Sequence, residues 1–507
     1  MSVLHVDNFS HWATAIKDMC LTDSYPKLSG AVTFRNYTPG ATVFIYHVCR
    51  AVSFSESHAL MAQGIMIAAC GAVLFCKASF KRPVAFVAVI TVLFASFAAF
   101  SLEGASLGIY NLTVDGLLAY VAAAGGVAIF AHRRDFFRCS LLLFPLTVWL
   151  SLIKSSGKIF SLLLIIFVFA LFFRDYFKKT TPKRKLTLSA VCAGTLGINL
   201  LLPLLWDLYS DIVFKGYQNK FPTGLGVLSS IGSKDPKFLK SVFKGMMEEL
   251  IDISSPTAQL LTTSLIFAVG VLILTAVFKT KGKFMIGVCL TSASVLIFYI
   301  AELFILYGFI FSEAEASILA SFYRYFGTLE VLLSLILLTA SIYTVDSFVV
   351  TDGKAVLSYL ITSAYVLCMA IMSLNAVKDN LILLAEPYRD EVTVDALEKR
   401  EYFKDFYSGV REKIPPDSFV IVYTEKTDFF TSTLPQYELR TTHCMFIYPY
   451  FSGFPEIAES RLEYPDYFVV ESGGESFKSL AASYGYTVVG DGTVYEVNRD
   501  TKVITVK

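Results

Sequence analysis

The stretch LTVDGLLAYVAAAGGVAIFAHRRDFFR, residues 112–138, decides the fold class. Its first part is an apolar run of about 20 residues, long enough at 1.5 Å per residue to cross the roughly 30 Å hydrocarbon core of a membrane. Asp115 lies near the start of the run, and three arginines follow its end. Because basic residues collect on the cytoplasmic side of a span, the stretch predicts a transmembrane helix that runs from outside to inside.

The composition extends this prediction to the whole chain. Its 507 residues are 55 % hydrophobic and 17 % charged, and the mean hydropathy is +0.59. A soluble protein would carry about 25 % charged residues. The net charge of +1 gives no reason to expect a nucleic-acid partner. The nine cysteines lie mostly in apolar runs without a CxxC pair, so we expect neither a zinc site nor a disulfide framework.

Ten stretches are apolar enough, and long enough or nearly so, to be membrane spans. They cover residues 58–76, 84–102, 112–131, 139–153, 157–173, 186–206, 257–278, 284–311, 328–345 and 355–377. The fourth and fifth are short and are separated by a turn around KSSGK. This pair is therefore either a tight hairpin or one broken span.

The distribution of basic residues predicts the orientation. With residues 1–57 outside, the inside loops hold 16 Lys and Arg, whereas the short outside loops hold 3. This bias predicts that both termini are extracytoplasmic. Residues 1–57, which precede the first span and which we call the head, are long for a segment that must cross the membrane unaided. We therefore expect a further transmembrane helix ahead of the head. The alternative is that the first span itself translocates the head.

Three predicted domains follow. They are an outer loop at 1–57, a transmembrane domain at 58–377 with a long outer loop at 207–256, and a soluble α/β domain at 378–507. The loop is polar and rich in Gly and Lys, with no regular pattern. The last domain has helical patterns near 395–412 and 475–484, which together with short β-rich runs are typical of a small α/β fold. The predicted strands are the six runs SFVIVYT, CMFIYPY, DYFVVES, YTVVG, TVYEV and KVITV.

The outer loop at the N-terminus shows two apolar helical patterns. The first has an apolar stripe at helical spacing, made of Phe9, Trp12, Ala13, Ile16, Met19 and Cys20. The second, of about 12 residues, follows the break at Pro39–Gly40. Both are too short to span a membrane, so we expect them to lie on its surface, with Trp12 at headgroup depth.

In their order and topology these features resemble the GT-C glycosyltransferases of bacterial membranes. The resemblance rests first on Asp7 in VDNFSHW and on the Tyr-x-Pro-Gly turn of NYTPGATVFIYH. Asp115, the IKSSGK turn at 153–158 and SFYRYFGT at 321–328 add to it. It implies an α-helical polytopic membrane enzyme with a small C-terminal α/β extracytoplasmic domain. Such an enzyme takes a sugar from a polyprenyl-phosphate carrier on the outer face of the membrane.

The resemblance also implies partners and a location. The partners are a polyprenyl-phosphate-linked sugar, a glycan or lipid acceptor and membrane lipids, and the location is the bacterial plasma membrane. The process would be polysaccharide or cell-envelope biosynthesis. No cofactor is implied with certainty. A divalent cation stays open, because no second acid lies directly beside Asp7 and the nearby candidates are Asp18 and Asp23.

Three charged residues have predicted roles in this chemistry. Asp7 is the expected catalytic base, because a carboxylate can take the acceptor's hydroxyl proton; its alternative role is to cap a helix that begins at residue 8 or 9. Arg324 is the expected phosphate ligand, because guanidinium pairs well with phosphate oxygens, and interfacial anchoring is its alternative. Lys154 would also contact phosphate, together with Lys158, unless both side chains snorkel from helix ends.

The remaining candidates are expected to bind substrate. They are His11, Tyr37, Asp115 and Tyr325. Asp115 lies within a span, where an acid is a functional candidate by default, although capping or pairing with a loop would explain it equally well. His11 would line the acceptor site with Trp12, for which we favour interfacial anchoring. The acid Glu302 lies deeper in a span and needs a partner that the sequence does not identify.

Three other functions stay open at this stage. An O-antigen-type polymerase or ligase shares the topology, but its arginines should lie in a long late outer loop, and here that loop is short with one Arg. A transporter should show two related halves with broken helices, and the sequence shows no such repeat. A non-catalytic assembly protein would use the C-terminal domain to bind partners.

Overall fold

The computed structural model describes residues 2–26, 32, 34–77, 83–100, 110–132, 135–175, 181–214, 234–277, 282–351, 355–415, 418–426, 429–439, 443–447, 465–498 and 500–507. Within these ranges the chain is mostly helical, with one six-stranded sheet towards the C-terminus. This confirms the predicted class, an α-helical polytopic membrane protein with a small C-terminal α/β domain.

Nineteen α-helices lie within the described residues. They are α1 (Val6–Ser10), α2 (Trp12–Thr22), α3 (Gly40–Val52), α4 (Glu56–Val73), α5 (Pro83–Ala99), α6 (Asp115–His132), α7 (Phe136–Ile153), α8 (Gly157–Asp175), α9 (Pro182–Val213), α10 (Pro236–Ile251), α11 (Pro256–Val277), α12 (Lys283–Ile305), α13 (Glu313–Ser317), α14 (Phe322–Thr351), α15 (Ala355–Asn375), α16 (Lys378–Ala385), α17 (Glu391–Arg411), α18 (Phe429–Leu439) and α19 (Gly474–Ser483). A π-helical turn, Leu306–Ile310, extends α12.

The ten predicted membrane segments are all helical, as α4 to α9, α11, α12, α14 and α15. Within the described part of the chain, seven of them are long and apolar enough to cross a membrane: α6 to α9, α11, α12 and α14. Helix α15 qualifies together with α16, from which it is bent by 67°. Helix α4 falls short because it carries polar residues, and α5 because it has 17 residues. The chain is therefore a multi-pass membrane protein.

Helix α14 is the centre of the bundle. Of an 18-residue apolar window within Phe322–Ser347, 94 % is buried, against 17 % for the corresponding window of α12. It packs against α5, α6, α11, α12 and α15. A helix that is apolar on all sides belongs in such a position, while its neighbours turn apolar side chains such as Ile266 and Ile297 outward to lipid.

Helices α7 and α8 resolve the ambiguity of the fourth and fifth predicted spans. They are separate helices that pack against each other, so they form a tight hairpin. Gly157 begins α8 where the chain turns back, and a Cβ added there would overlap the carbonyl oxygen of Leu150. This close approach fixes the turn that carries Lys154.

The N-terminal helices are buried in protein rather than laid on lipid. Phe9 and Ile16 are fully buried and Trp12 is 5 % exposed. Helices α1 and α2 pack against α18 of the C-terminal domain, and α2 also packs against α3. The predictions that the apolar stripe faces lipid and that Trp12 lies at headgroup depth are therefore wrong. The apolar stripe does form a buried face, but protein rather than lipid covers it.

Helix α10 lies within the predicted long loop at 207–256. Asp235 caps it by accepting a hydrogen bond from the Lys237 N–H at 3.0 Å, and Pro236 takes the first helical position. Val242 and Met246 are buried on its inner face. The expectation of no regular pattern is thus wrong for 236–251 and for 207–213, which continue α9, whereas 215–233 lies outside the described residues.

The C-terminal domain contains all six predicted strands. They are β1 (Phe419–Tyr423), β2 (His443–Ile447), β3 (Tyr467–Val470), β4 (Thr487–Val489), β5 (Val494–Asn498) and β6 (Val503–Val506). The strand order is β2-β1-β3-β5-β6-β4, with β1 parallel to both neighbours and β5 antiparallel to both of its own. Helices α17 and α19 match the predicted helices. The sequence did not predict α18, which contains Pro435, a poor helix former.

The substitution Gly157→Ala should destabilise the protein by about 1–3 kcal/mol, because the added methyl overpacks the α7–α8 turn. Thermal unfolding of the purified protein in detergent measures this. Gly194→Ala in α9 is the control, since an added Cβ there meets nothing within 4 Å. A Gly157→Ala protein as stable as the Gly194→Ala protein would contradict the close approach at Leu150.

Candidate functional site

Four charged side chains from distant parts of the chain meet at one end of the bundle. Arg324 Nη1 donates to Asp7 Oδ2 at 2.7 Å, and Arg324 Nε lies 3.4 Å from Asp115 Oδ2. Lys154 Nζ donates to Asp115 Oδ1 at 2.5 Å. The charges therefore alternate along one continuous row, which we call the ionic cluster: Asp7, Arg324, Asp115 and Lys154.

Each member of the ionic cluster sits at a helix end. Asp7 and Asp115 lie in the first turns of α1 and α6, where the helix dipole favours an acid, and Lys154 follows the last residue of α7, where it favours a cation. Arg324 lies in the first turn of α14, where the dipole opposes a cation. The two carboxylates offset that unfavourable position.

The turn before α14 positions Arg324. Leu319 and Ser321 have φ angles of 47° and 59°, a left-handed backbone conformation that residues other than glycine rarely adopt. The Tyr307 hydroxyl donates to the Ala320 carbonyl oxygen at 2.6 Å. Strained backbone of this kind persists where its surroundings hold it in place, and it is concentrated at functional sites.

Aromatic rings border the ionic cluster. The Tyr325 ring centre lies 4.4 Å from Lys154 Nζ and 5.3 Å from the guanidinium carbon of Arg324, within the range of cation–π attraction. The Tyr37 ring meets the His11 ring edge-on at 4.6 Å, and both lie close enough to Asp7 to interact with it electrostatically. The structure thus gathers all seven predicted site residues in one region.

Asp7 is not the cap of its helix. The cap is His5, whose Nδ1 accepts a hydrogen bond from the Asp7 N–H at 3.1 Å. Burial raises the pKa of the Asp7 carboxyl, but Arg324, His5 and Lys154 outweigh burial, so the pKa lies below its usual value. Asp7 is therefore ionised at neutral pH, and its carboxylate is held by Arg324.

His11 lies behind Asp7 rather than on an open surface. It is 2 % exposed, and its ring contacts Trp12 at 4.5 Å as well as Tyr37. Burial lowers the pKa of His11 to about 3, against the opposing effect of Asp7, so the imidazole stays neutral. Among the described residues its Nδ1 has no hydrogen-bond partner. Trp12 is buried beside it, so the interfacial anchoring that we favoured for Trp12 is wrong.

Asp115 is the second acid beside Asp7. The sequence offered Asp18 and Asp23 as candidates. Of these, Asp23 pairs with Arg50 at 2.6 Å and accepts a hydrogen bond from Tyr46 at 2.8 Å. No signal in the sequence links positions 7 and 115. Within the described ranges, no group of three or more His, Cys, Asp or Glu residues is arranged to hold a metal ion.

Other candidate residues lie at the edge of the site or away from it. Lys158 pairs with Asp207 at 3.3 Å, so it is separate from the ionic cluster. Glu302 has a buried Oε2 with no hydrogen-bond partner in the described part of the chain, and Lys154 is the cation that acts on it.

An apolar cavity of about 660 Å³ lies between α6, α8, α12 and α14. Its lining in α6 begins at Ala122, two turns after Asp115, and it extends to Arg174 and Lys283 at the far ends of α8 and α12. At its near end the Phe160 ring stacks on Tyr299 at 5.1 Å. The Tyr299 hydroxyl donates to the Tyr325 carbonyl oxygen at 3.1 Å, so this aromatic pair lies between the cavity and the ionic cluster.

The substitution His11→Phe should weaken the dependence of stability on pH. In the wild type the folded His11 has a pKa of about 3, whereas an unfolded histidine has a pKa of about 6.5. The unfolded state therefore binds more protons below pH 6.5, and the free energy of unfolding falls by up to about 1.4 kcal/mol per pH unit as the pH drops.

Unfolding in detergent at pH 7.5, 6 and 5 measures this slope. His47→Phe, at an exposed histidine of α3, is the matched control and should keep the wild-type slope. If His11→Phe also keeps it, His11 is not a neutral buried imidazole.

Comparisons with known proteins complete the description. No protein-family model matches the chain, and no curated protein matches its sequence. Among solved structures, the chain is similar to ArnT from Cupriavidus metallidurans in the apo state. The two are 14 % identical with a TM-score of 0.48, over 97 % of this chain and 93 % of the other. A TM-score below 0.5 at this identity supports no conclusion about activity.

Proposed function

We propose that this chain is a GT-C-type glycosyltransferase of the bacterial plasma membrane. It moves a sugar from a polyprenyl-phosphate carrier to a glycan or lipid acceptor on the outer face. The observation that carries the proposal is the ionic cluster at one end of the bundle, together with an apolar cavity that begins about two helical turns from it and extends towards the opposite end. Arg324 and Lys154 suit a phosphate, the cavity suits an isoprenoid chain, and Asp7 suits the proton of an acceptor hydroxyl.

The carrier phosphate would bind by competing with the carboxylates. In the free protein Asp7 and Asp115 neutralise both cations and keep them oriented. A phosphate that takes over Arg324 removes the charge that contributes to the low pKa of Asp7. The pKa of Asp7 then rises, so the base strengthens when the donor is bound. Donor binding and base activation are coupled through one guanidinium.

Transfer then requires one displacement. The acceptor oxygen attacks the anomeric carbon of the sugar while Asp7 takes the hydroxyl proton. The bond between that carbon and the phosphate oxygen breaks, and its electron pair stays on the phosphate. Arg324 and Lys154 stabilise this developing charge, because they are already oriented before the reaction begins. The products are the glycosylated acceptor and the polyprenyl phosphate.

The substitution Asp7→Asn should lower sugar transfer by about 10²–10⁴-fold, because Asn keeps the shape but cannot accept the proton. Membranes that carry the chain are supplied with a set of polyprenyl-phosphate sugars, and transfer is compared at equal protein level. Asp23→Asn, at an exposed acid of the same N-terminal region, is the control and should keep wild-type transfer. Equal transfer by Asp7→Asn would remove Asp7 as the base, and no transfer by the wild type with any donor would argue against the function.

The substitution Gly126→Leu should raise the KM for a long-chain donor by filling the cavity. Gly126 lines the cavity, and an added Cβ would lie 3.6 Å from Ile336, in ordinary contact. A donor analogue with a short, water-soluble chain should keep its KM. Gly194→Leu, at a position with open space in α9, is the control. An unchanged KM for the long-chain donor would show that the chain lies elsewhere.

A further inference from the structure

The C-terminal domain reaches α1 through a second buried group of charges. Arg400 of α17 is 3 % exposed, and its Nη2 lies 2.5 Å from Glu56 Oε1 and 2.6 Å from Glu438 Oε1. The Tyr437 hydroxyl donates to Glu56 Oε1 at 2.9 Å. One arginine thus joins the first turn of α4 in the membrane domain to α18 in the C-terminal domain.

The same group holds the N-terminal helices. Glu56 Oε2 accepts a hydrogen bond from the Val3 N–H at 2.9 Å, just before α1. Lys17 of α2 donates to the Tyr437 carbonyl oxygen at 2.9 Å, and its Nζ lies 3.7 Å from Glu438 Oε2. We call this group the clamp: Lys17, Glu56, Arg400, Tyr437 and Glu438.

The clamp acts on the helix that carries Asp7. Phe9 lies two residues after Asp7 in α1, and its ring centre is 5.6 Å from the Tyr437 ring and 5.6 Å from the guanidinium carbon of Arg400. Asp7 itself contacts Arg324 of the bundle. The five-residue α1 is therefore held between two arginines, one from the membrane domain and one from the C-terminal domain.

Stability alone does not account for such a group. The clamp contains two acids and two bases, and the more exposed Arg411 adds a third base 3.5 Å from Glu438 Oε2. Desolvation offsets most of their attraction, and apolar residues of similar volume would often stabilise a protein as well. A buried ionic group does, however, require one arrangement of its partners. A helix of five residues has little stability of its own and takes its position from what it packs against.

We propose that Arg400 is a positioning residue for Asp7, acting through the clamp and Phe9 to set where α1 stands against Arg324. The effect on transfer rests on the proposed function, whereas the effect on α1 does not. The role of the C-terminal domain is then to complete the site from outside the bundle.

The test compares Arg400→Met with Arg400→Lys in the full-length protein, and uses Arg389→Met as a control. Arg389 is an exposed arginine of the same domain, paired with Glu386. Amide hydrogen exchange is measured at residues 3–10, with strands β1 and β3 as the internal reference. Arg400→Met should speed exchange at 3–10 while the strands keep wild-type protection. Arg400→Lys should largely restore protection, because a single nitrogen of Arg400 makes both contacts.

Transfer supplies the second readout. Arg400→Met should lower kcat by about 10- to 100-fold, because a displacement of about 1 Å suffices for such a loss, while the donor KM changes less than about threefold. If Arg400→Met does not fold, Tyr437→Phe decides, since it removes the hydroxyl contact to Glu56 alone and should still speed exchange at 3–10.

Unchanged amide exchange at residues 3–10 in these variants would overturn the proposal. An equal rise of the exchange rate in strands β1 and β3 would overturn it too, because the effect would then not be specific to α1. If the wild type transfers no sugar from any donor, the proposed function fails, but the exchange pattern still decides whether Arg400 positions α1.

Discussion

The Arg324 guanidinium, where α14 enters the bundle, is the charge around which the rest of the structure is arranged. Its side chain is 13 % exposed, and a buried charge without partners costs several kcal/mol. Its two carboxylate partners come from residues 7 and 115, so the head must fold back over the bundle and α6 must lie against α14. The strained turn at 319–321, just before α14, positions Arg324 so that it can meet these two carboxylates.

Under the proposed function, this constraint also sets the chemical selectivity of the site. The carboxylates that stabilise the free protein are the groups that a ligand must displace from the cations. A neutral sugar cannot do so, whereas a phosphate can offer equivalent oxygens to Arg324 and Lys154. The neighbouring cavity adds a requirement for an apolar chain. In the proposed mechanism, a ligand that meets both requirements is the one that frees Asp7.

Much of this architecture could be predicted from the sequence, because the relevant signals are local. Runs of apolar residues gave the positions of the ten helices, and alternation with turns gave the six strands. The candidate site residues were chosen through charge at helix ends and through a family resemblance, and the structure brings them together. Periodicity shows that a helix has an apolar face, but it does not show what covers that face. For this reason the stripe at Phe9 and Trp12 was assigned to lipid.

The long-range parts of the structure had no local signal. Helix α18 contains a proline, and it is stabilised by burial against α1. The pairing of Asp7 with Asp115 through Arg324, and that of Lys17 with Glu438, join residues hundreds of positions apart. A single sequence carries no record of such pairs. Helix α10 was missed because its short amphipathic pattern follows a Gly- and Lys-rich stretch.

The separation between Asp7 and Arg324 has a consequence for how the chain is made. The two residues are 317 positions apart, and Lys17 and Tyr437 are 420 apart. At a synthesis rate of about 5–20 residues per second, roughly 15–60 s pass between the emergence of Asp7 and that of Arg324 from the ribosome. During that interval α1 and α2 expose an apolar stripe that α18 has yet to cover. Newly made chains are thus most prone to aggregation before the C-terminal domain has emerged, since the head cannot dock against α18 until then.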